Sequence, residues 1–402
     1  MSLVASRRAR PTEDPIFALN AEANARRAKG EAVVNATLGA AMDDAGALSV
    51  LPTAVRALRE VEGTVSAGYA PIAGSAPFLA AVKADLLGAV PSLLARAVAV
   101  ATPGGTGALH HAIVNFLEPG QAMLTGSYYW APYHTLTDET GRTLETFSLF
   151  DAQGGFDVAA MDAAVGRLLQ AQGRVLLVLN DPCQNPTGYS MRREEWREVA
   201  SCLQRHARAG GDVTLLVDVA YIEYLATDDP RAFVQELVPL AEHATVAFAW
   251  SASKSFTMYG LRVGALVAVV PESERVQTQA ALTYSCRGTW SNCNHGGLTA
   301  ITRLLTDPAL STELTRERDA LKATLFARVA RFNELGHAAK LSYPRYEGGF
   351  FVTVFHPQAV EHAARMREAG VFVVPAKGVL RVALCSVAER DVPRLVDALA
   401  AS

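Results

Sequence analysis

The chain has 402 residues; half are hydrophobic, 19% are charged, and the formal net charge is −3. This excludes a disordered chain, which needs low hydrophobicity with high net charge, and it leaves no basic surplus for nucleic-acid phosphates. A single core stops growing well below this length, so about two domains are expected.

The opening stretch, MSLVASRRARPTEDP, is basic, but no apolar segment follows it. It reads as neither a secretory nor a twin-arginine signal. No apolar stretch reaches the ~18 residues that a membrane span needs. The expectation is a cytoplasmic chain with no membrane attachment. The cysteines agree: Cys183, Cys202, Cys286, Cys293 and Cys385 are odd in number, and none has CxxC spacing. That argues against both a disulfide framework and a structural zinc site. Cys293 and His295 lack a second pair of ligands, so no metal ligand is assigned.

The segment Thr102-Pro103-Gly104-Gly105-Thr106-Gly107 precedes a helical pattern carrying Leu109, Ile113, Phe116 and Leu117. Glycines let backbone approach an anion, and a helix N-terminus attracts negative charge, so this turn suits a phosphate. An ordinary strand-to-helix turn is the alternative, and the spacing matches neither a Walker A loop nor a full dinucleotide fingerprint. His110 and His111, which follow, read as helix surface. Next come short continuous apolar runs at 175–179, 213–217, 246–250 and 263–270. Such runs suit strands buried on both faces of a parallel sheet. Residues 192–208 place Trp196, Val199, Cys202 and Leu203 on one helical face. This alternation predicts an α/β fold, an open doubly wound sheet with helices on both sides. Beyond a boundary near residue 310, a long helix is predicted over 311–335. Strands at 348–354 and 380–384 flank a helix at 357–369, which makes a smaller α+β unit.

The chemistry lies after the apolar runs, where open α/β sheets bind ligands. Asn180-Asp181-Pro182-Cys183-Gln184-Asn185-Pro186-Thr187-Gly188 follows the first run, Asp218 and Tyr221 the second, and Ser251-Ala252-Ser253-Lys254 with Arg262 the third. Lys254 is the single lysine between residues 84 and 321. Singly, each has a plain reading: a helix cap, a turn, a solvated loop lysine. Together they place amide, carboxylate, phenol and amine on one sheet edge. A lysine amine forms Schiff bases with carbonyls, and a carboxylate beside a pyridine nitrogen keeps the ring an electron sink. Serine, arginine and backbone N–H groups hold a phosphate. The set describes pyridoxal 5'-phosphate.

Ser251-x-Ser253-Lys254 with Arg262, Asn185-Pro186-Thr187-Gly188 and Asp218-x-x-Tyr221 resemble the fold-type I pyridoxal-phosphate enzymes. Within them the chain is similar to the class I/II aminotransferases of the aspartate and aromatic branch, from Asp14-Pro15-Ile16 to about Val387. The resemblance implies a large domain with a mostly parallel sheet (48–310), a small C-terminal domain (311–402) and an N-terminal arm with a small-domain segment (1–47). It implies a catalytic set of Lys254, which holds the cofactor as an internal aldimine, Asp218 at the ring nitrogen, and Tyr221 with Asn185 at the ring hydroxyl oxygen. Gly105, Thr106, Ser251, Ser253 and Arg262 would surround the phosphate. Trp130 would stack on the ring, and Tyr69 would reach the phosphate of a partner subunit. On the substrate side it implies Gly39, Asn185 and Arg381 near the α-carboxylate, and Arg287, supplied by the neighbouring subunit, for a distal carboxylate. A surface salt bridge is the other reading of Arg287.

The implied protein is a homodimeric transaminase. It would pair 2-oxoglutarate and glutamate with aspartate or an aromatic amino acid. Cys293-Asn294 stands where relatives carry a proline pair, and Ala131-Pro132-Tyr133 where aspartate enzymes often carry Pro-Asn-His. Both departures leave the donor open. A lyase or β-decarboxylase on the same cofactor is the alternative chemistry. A ligand sensor would need an added DNA-binding domain, and a dehydrogenase an acidic residue ~20 positions past the glycine turn.

Overall fold

Runs that are apolar on both sides become the inner strands of a sheet, and helices cover its two faces. The computed structural model describes residues 2–4, 7, 8 and 10–401. Met1, Ala5, Ser6 and Ala9, within the stretch read as free of a targeting signal, and Ser402 lie outside the described residues. In chain order the strands are β1 (Val34–Asn35), β2 (Ala97–Thr102), β3 (Ala122–Gly126), β4 (Thr143–Phe147), β5 (Arg174–Asn180), β6 (Asp212–Asp218), β7 (Thr245–Ser251), β8 (Gly264–Val269), β9 (Phe351–Phe355), β10 (Val371–Phe372), β11 (Val374–Ala376) and β12 (Val379–Ala383). Seven of them form the central sheet in the order β2-β8-β7-β6-β5-β3-β4.

Strands β4, β3, β5, β6 and β7 run parallel. Strand β8 is antiparallel to both β7 and β2, so the run at 263–270 departs from the parallel expectation. A parallel return needs a long crossover, usually a helix. Here the chain after β7 makes only the four-residue helix Ala252–Ser255 before turning back.

Alternation explains the continuous apolar runs. On β5, Val175, Leu177 and Leu179 face one core together with Trp196, Val199, Cys202 and Leu203 of helix Arg193–Arg208. Leu176 and Val178 face the opposite core with Leu109 and Ile113 of helix Gly104–Phe116. Each large apolar side chain buried this way contributes about 1.5–3 kcal/mol. Among the described residues no helix is long and apolar enough to cross a membrane. All five cysteines are free and buried.

A second core gathers β1, β9, β12 and the C-terminal helices. Strands β11-β12-β9 form an antiparallel sheet, and β1 pairs parallel with β10. The predicted long helix spans Pro308–Ala338 and is capped by Asp307, whose side chain accepts from Ala309 and Leu310 N–H. Its Leu310 and Leu314 pack in the first core, and Leu325, Val329 and Phe332 in the second. The strand expected from 348 starts at Phe351, because Gly348 and Gly349 form a bend. His111 is not on the surface as expected. It is fully buried, stacked on Trp290 with ring centroids 4.2 Å apart, and its Nε2 lies 3.3 Å from Cys286 Sγ. Helix Arg275–Thr289 covers that side of helix Gly104–Phe116, and burial pushes His111 down to about 3.

Candidate active site

Strands β5 and β6 end side by side, Asn180 beside Asp218, and β7 passes them with Ala249 beside Asp218 before ending at Ser251. Everything past these ends therefore meets at one edge. Asn180 ties two of the ends: its Nδ2 donates to the Asp218 carbonyl (2.8 Å), and its Oδ1 accepts from Asn185 N–H (2.7 Å). The loop after β5 is anchored below by Asp181, which accepts from Trp196 Nε1 and Met191 N–H. Burial pushes the Asp181 carboxyl up to about 7.

A cavity of about 350 Å³ opens at this edge. Gly105, Thr106, Trp130, Asn185, Asp218, Tyr221, Ser251, Ser253, Lys254 and Arg262 line it. It adjoins a larger cleft of about 780 Å³ bounded by Gly39, Asn185, Lys254, Arg381 and the arm residues 11–17. The structure thus brings together twelve of the residues singled out from sequence. It does not bring Tyr69 or Arg287 into the cleft of their own chain. Tyr69 is 90% exposed, and Arg287 is exposed with Nη1 donating to Ser291 Oγ at 2.7 Å.

Lys254 sits in the helix Ala252–Ser255, begun by Ser251, whose Oγ accepts from Ser253 N–H. Its Nζ donates to the Gly39 carbonyl (2.6 Å) and lies 4.6 Å from the centroid of the Tyr259 ring. Burial pulls the amine down to about 8, helped by the charges of Arg262 and Arg381 and opposed by Cys385. Gly39 carries no side chain because a Cβ there would collide with the Phe351 ring.

Asp218 is buried at the end of β6. Burial raises its carboxyl to about 6, against the lowering effect of two hydrogen bonds. One comes from Tyr133 hydroxyl to Oδ2 (2.9 Å), the other from Ala220 N–H to Oδ1 (3.2 Å). Tyr221 hydroxyl lies 3.5 Å from Asn185 Nδ2. Trp130 packs edge-on against Tyr133, with centroids 5.8 Å apart.

The glycine turn makes an open cup. Helix Gly104–Phe116 begins after Pro103, which offers no side-chain cap, so its first-turn N–H groups stay open to a ligand. Gly104 has φ +74°, and a Cβ there would run into the Arg262 guanidinium. Arg262 bridges the cup to the lysine helix: Nη2 donates to Pro103 O (3.2 Å), and Nη1 to Ser253 Oγ (3.3 Å) and Tyr259 O (2.9 Å). It does so at φ +55°, a region that costs a non-glycine residue of order 1 kcal/mol or more. Arg381 has a buried Nε with no partner among the described residues, while Nη2 donates to Thr37 O (2.5 Å).

Pyridoxal 5'-phosphate fits this donor set. An uncapped helix start beside an arginine and two serines suits a phosphate. The buried carboxylate suits a ring nitrogen, the phenol and amide a ring oxygen, and the amine an aldehyde. The space that Gly104 leaves is taken by the Arg262 guanidinium, which is thereby seated at the cup.

Sequence reasoning named Tyr133 only as a departure from the aspartate enzymes, without its bond to Asp218, and passed over Tyr259 and Phe17. Tyr133 stands three positions after Trp130, in the first turn of the helix Pro132–Glu139, and that nearness to the ring-stacking candidate was the available signal. Phe17 lines both cavities from the helix Pro15–Ala28. Removing the Tyr133 hydroxyl takes a hydrogen bond from a buried carboxylate and raises its pKa. In Tyr133→Phe the acid limb of kcat/KM should therefore move up by about one pH unit. A pH profile from 5 to 9 checks this, and an unmoved limb would assign Tyr133 to packing alone.

A family model described as aminotransferase class I and II matches residues 33–399. The aromatic-amino-acid aminotransferase of Pseudomonas aeruginosa is 29% identical over 352 residues, 85% of each chain. The aspartate aminotransferase of the same organism is 29% identical over 354 residues, 84% of this chain and 85% of that one. A solved aminotransferase from Anaerococcus prevotii superposes with a TM-score of 0.94 at 33% identity, covering 100% of this chain and 98% of that one. The aromatic-amino-acid aminotransferase from Burkholderia pseudomallei, solved covalently bound to pyridoxal phosphate, superposes with a TM-score of 0.82 at 25% identity, covering 100% and 99%. A match that runs from residue 33 to residue 399 leaves neither core outside it: this chain is an aminotransferase and belongs to the class I and II family.

Proposed function

We propose that the protein moves an amino group between an L-amino acid and a 2-oxo acid. One partner pair would be glutamate and 2-oxoglutarate, and the other an aspartate-type or aromatic amino acid. The observation that carries this is the joining of two cavities at Lys254, one with a phosphate cup and a buried carboxylate, the other with the buried Arg381. Lys254 would hold the cofactor aldehyde and Asp218 its ring nitrogen. Tyr221 and Asn185 would hold the ring oxygen and Trp130 the ring face. The phosphate would fall to Gly105, Thr106, Ser251, Ser253 and Arg262. When bound, pyridoxal phosphate supplies the electron sink that stabilises a carbanion at the substrate Cα.

The chain's own groups do the rest. Lys254 Nζ, at about 8, is neutral in about a tenth of molecules at pH 7, and far more at pH 8. Once free, it can take the Cα proton and return it, worth about 10²–10⁴-fold. Arg381 presents a buried fork with Nε unused, which suits the two oxygens of an α-carboxylate. Residues 11–17 wall the outer cleft.

The reading includes a homodimer. Tyr69 and Arg287 point away from their own cleft, and helix Arg275–Thr289 also exposes Val276 and Tyr284, at 84% and 82%. Such a surface suits a second copy, whose cleft would receive both polar groups. A fully active monomer in solution would contradict it.

The test is a panel of amino acids against 2-oxoglutarate, with the product oxo acid identified. Arg287→Ala should lower kcat/KM for aspartate and glutamate about 10²-fold, the loss of a two-point charged contact, while phenylalanine changes less than about threefold. Equal losses on both classes would leave Arg287 with its Ser291 bond alone.

A further inference from the structure

Away from the cleft, helices Val158–Gln172 and Arg193–Arg208 pack side by side over the sheet. Cys202 and His206 are four residues apart on the second helix, so their side chains stack on one face. Asp162, from the first helix, meets them. His206 Nε2 lies 2.6 Å from Asp162 Oδ1, and the ligand atoms of Asp162, Cys202 and His206 all lie within 4.8 Å of one another. None of the three lines the cofactor cavities.

The depth of the three groups is graded. Cys202 is fully buried and forms the floor. The side chains of His206 and Asp162 are 24% and 39% exposed and form a rim open to solvent. Gly166, one turn beyond Asp162, lies beside the imidazole: a Cβ there would be in ordinary contact with His206 Cε1, at 3.5 Å. Arg205 Nη2 donates to the other carboxylate oxygen, Oδ2, at 3.2 Å. This holds the carboxylate in place with Oδ1 toward His206 Nε2, a contact that a cation bound between them would replace. Outer-sphere groups commonly orient ligating carboxylates in this way.

We propose that Asp162, Cys202 and His206 form a binding site for a zinc-class divalent cation, with water in the fourth position. One sulfur, one imidazole nitrogen and one carboxylate oxygen is a borderline-soft set. It suits Zn²⁺ or Co²⁺ and not Mg²⁺ or Ca²⁺, which prefer oxygen alone. Binding forms metal–sulfur, metal–nitrogen and metal–oxygen bonds and breaks the Cys202 S–H bond. The released proton goes to solvent, as does any proton on His206 Nε2, and no electron is transferred. The thiol is the reluctant ligand, since burial and Asp162 push it up to about 12. The cation would clip the two helices together, outside the reaction.

The experiment uses untagged holoenzyme, stripped with a chelator and dialysed. Zinc or cobalt(II) is then titrated at low micromolar concentration, followed by gel filtration and metal analysis. The expected result is one ion retained per chain. With cobalt, tetrahedral bands should appear in the red, beyond the absorption of the cofactor. Cys202→Ser and His206→Gln should each weaken binding by about tenfold or more while transamination is unchanged. His206 is at the rim, so its variant keeps the test valid if Cys202→Ser does not fold. No retained ion, or equal affinity in wild type and His206→Gln, would overturn the site.

Discussion

Lys254→Ala should lower kcat for transamination by about 10⁴-fold or more, because one amine is asked to be both the covalent anchor and the proton carrier. The position supports both tasks. Nζ is buried, is held by a single carbonyl 2.6 Å away, and is drawn toward neutrality by burial first and by Arg262 and Arg381 second. Alanine should be well tolerated by the fold, since the short helix Ala252–Ser255 is begun by Ser251 and not by the lysine. Pyridoxal phosphate should still bind through the cup. Borohydride treatment should then fix the cofactor to wild type but not to the variant, on denaturing analysis. Lys254→Arg, which keeps a cation but is never neutral near pH 7, should be equally inactive. Wild-type turnover in either variant would end the assignment.

The parts of this fold that are legible in sequence are those that burial writes on both faces. Strands β5, β6 and β7 begin and end within one residue of their apolar runs. Strand β2, Ala97–Thr102, is equally buried, but three of its six residues are alanine and give little contrast. The edge strand β4, Thr143–Phe147, is largely exposed and shows no apolar run at all. The direction of β8 depends on how the chain turns after Lys254, which hydropathy does not record. In the cleft, the groups standing directly at strand ends were visible because the strands set their place. Tyr133 was not, since its partner is 85 residues away and only the packed fold brings them together. His111 was misread for the same reason: the Trp290 that buries it arrives from a distant helix end. The arm wall at 11–17 is polar and proline-containing, with no periodicity to mark it.

Asp218 is where charge, as distinct from shape, can be tested. Its carboxyl sits at about 6, raised by burial and held from rising further by Tyr133 and Ala220. At pH 7 about nine-tenths is therefore carboxylate even before any cation faces it. Below pH 6 the group takes up a proton, and the ring nitrogen opposite would lose its counter-ion. The ring cation that would face it favours the carboxylate and lowers this value further, so the holoenzyme should keep kcat/KM down to about pH 6 and lose it only below. Asp218→Asn keeps the size and removes the charge; Asp218→Ala removes both. Removing one partner of a buried ion pair costs about 3–5 kcal/mol, so kcat should fall by about 10³-fold in both variants. Cofactor affinity should change by less than about tenfold, because the cup lined by Gly105, Thr106, Ser251, Ser253 and Arg262 is untouched and would carry most of the charge-assisted contacts. Equilibrium dialysis of pyridoxal phosphate beside steady-state kinetics separates the two effects. If Asp218→Asn works nearly as well as wild type while Asp218→Ala does not, the residue acts through its shape and its bond to Tyr133. The stabilisation of a cationic ring would then have to come from elsewhere in the cleft.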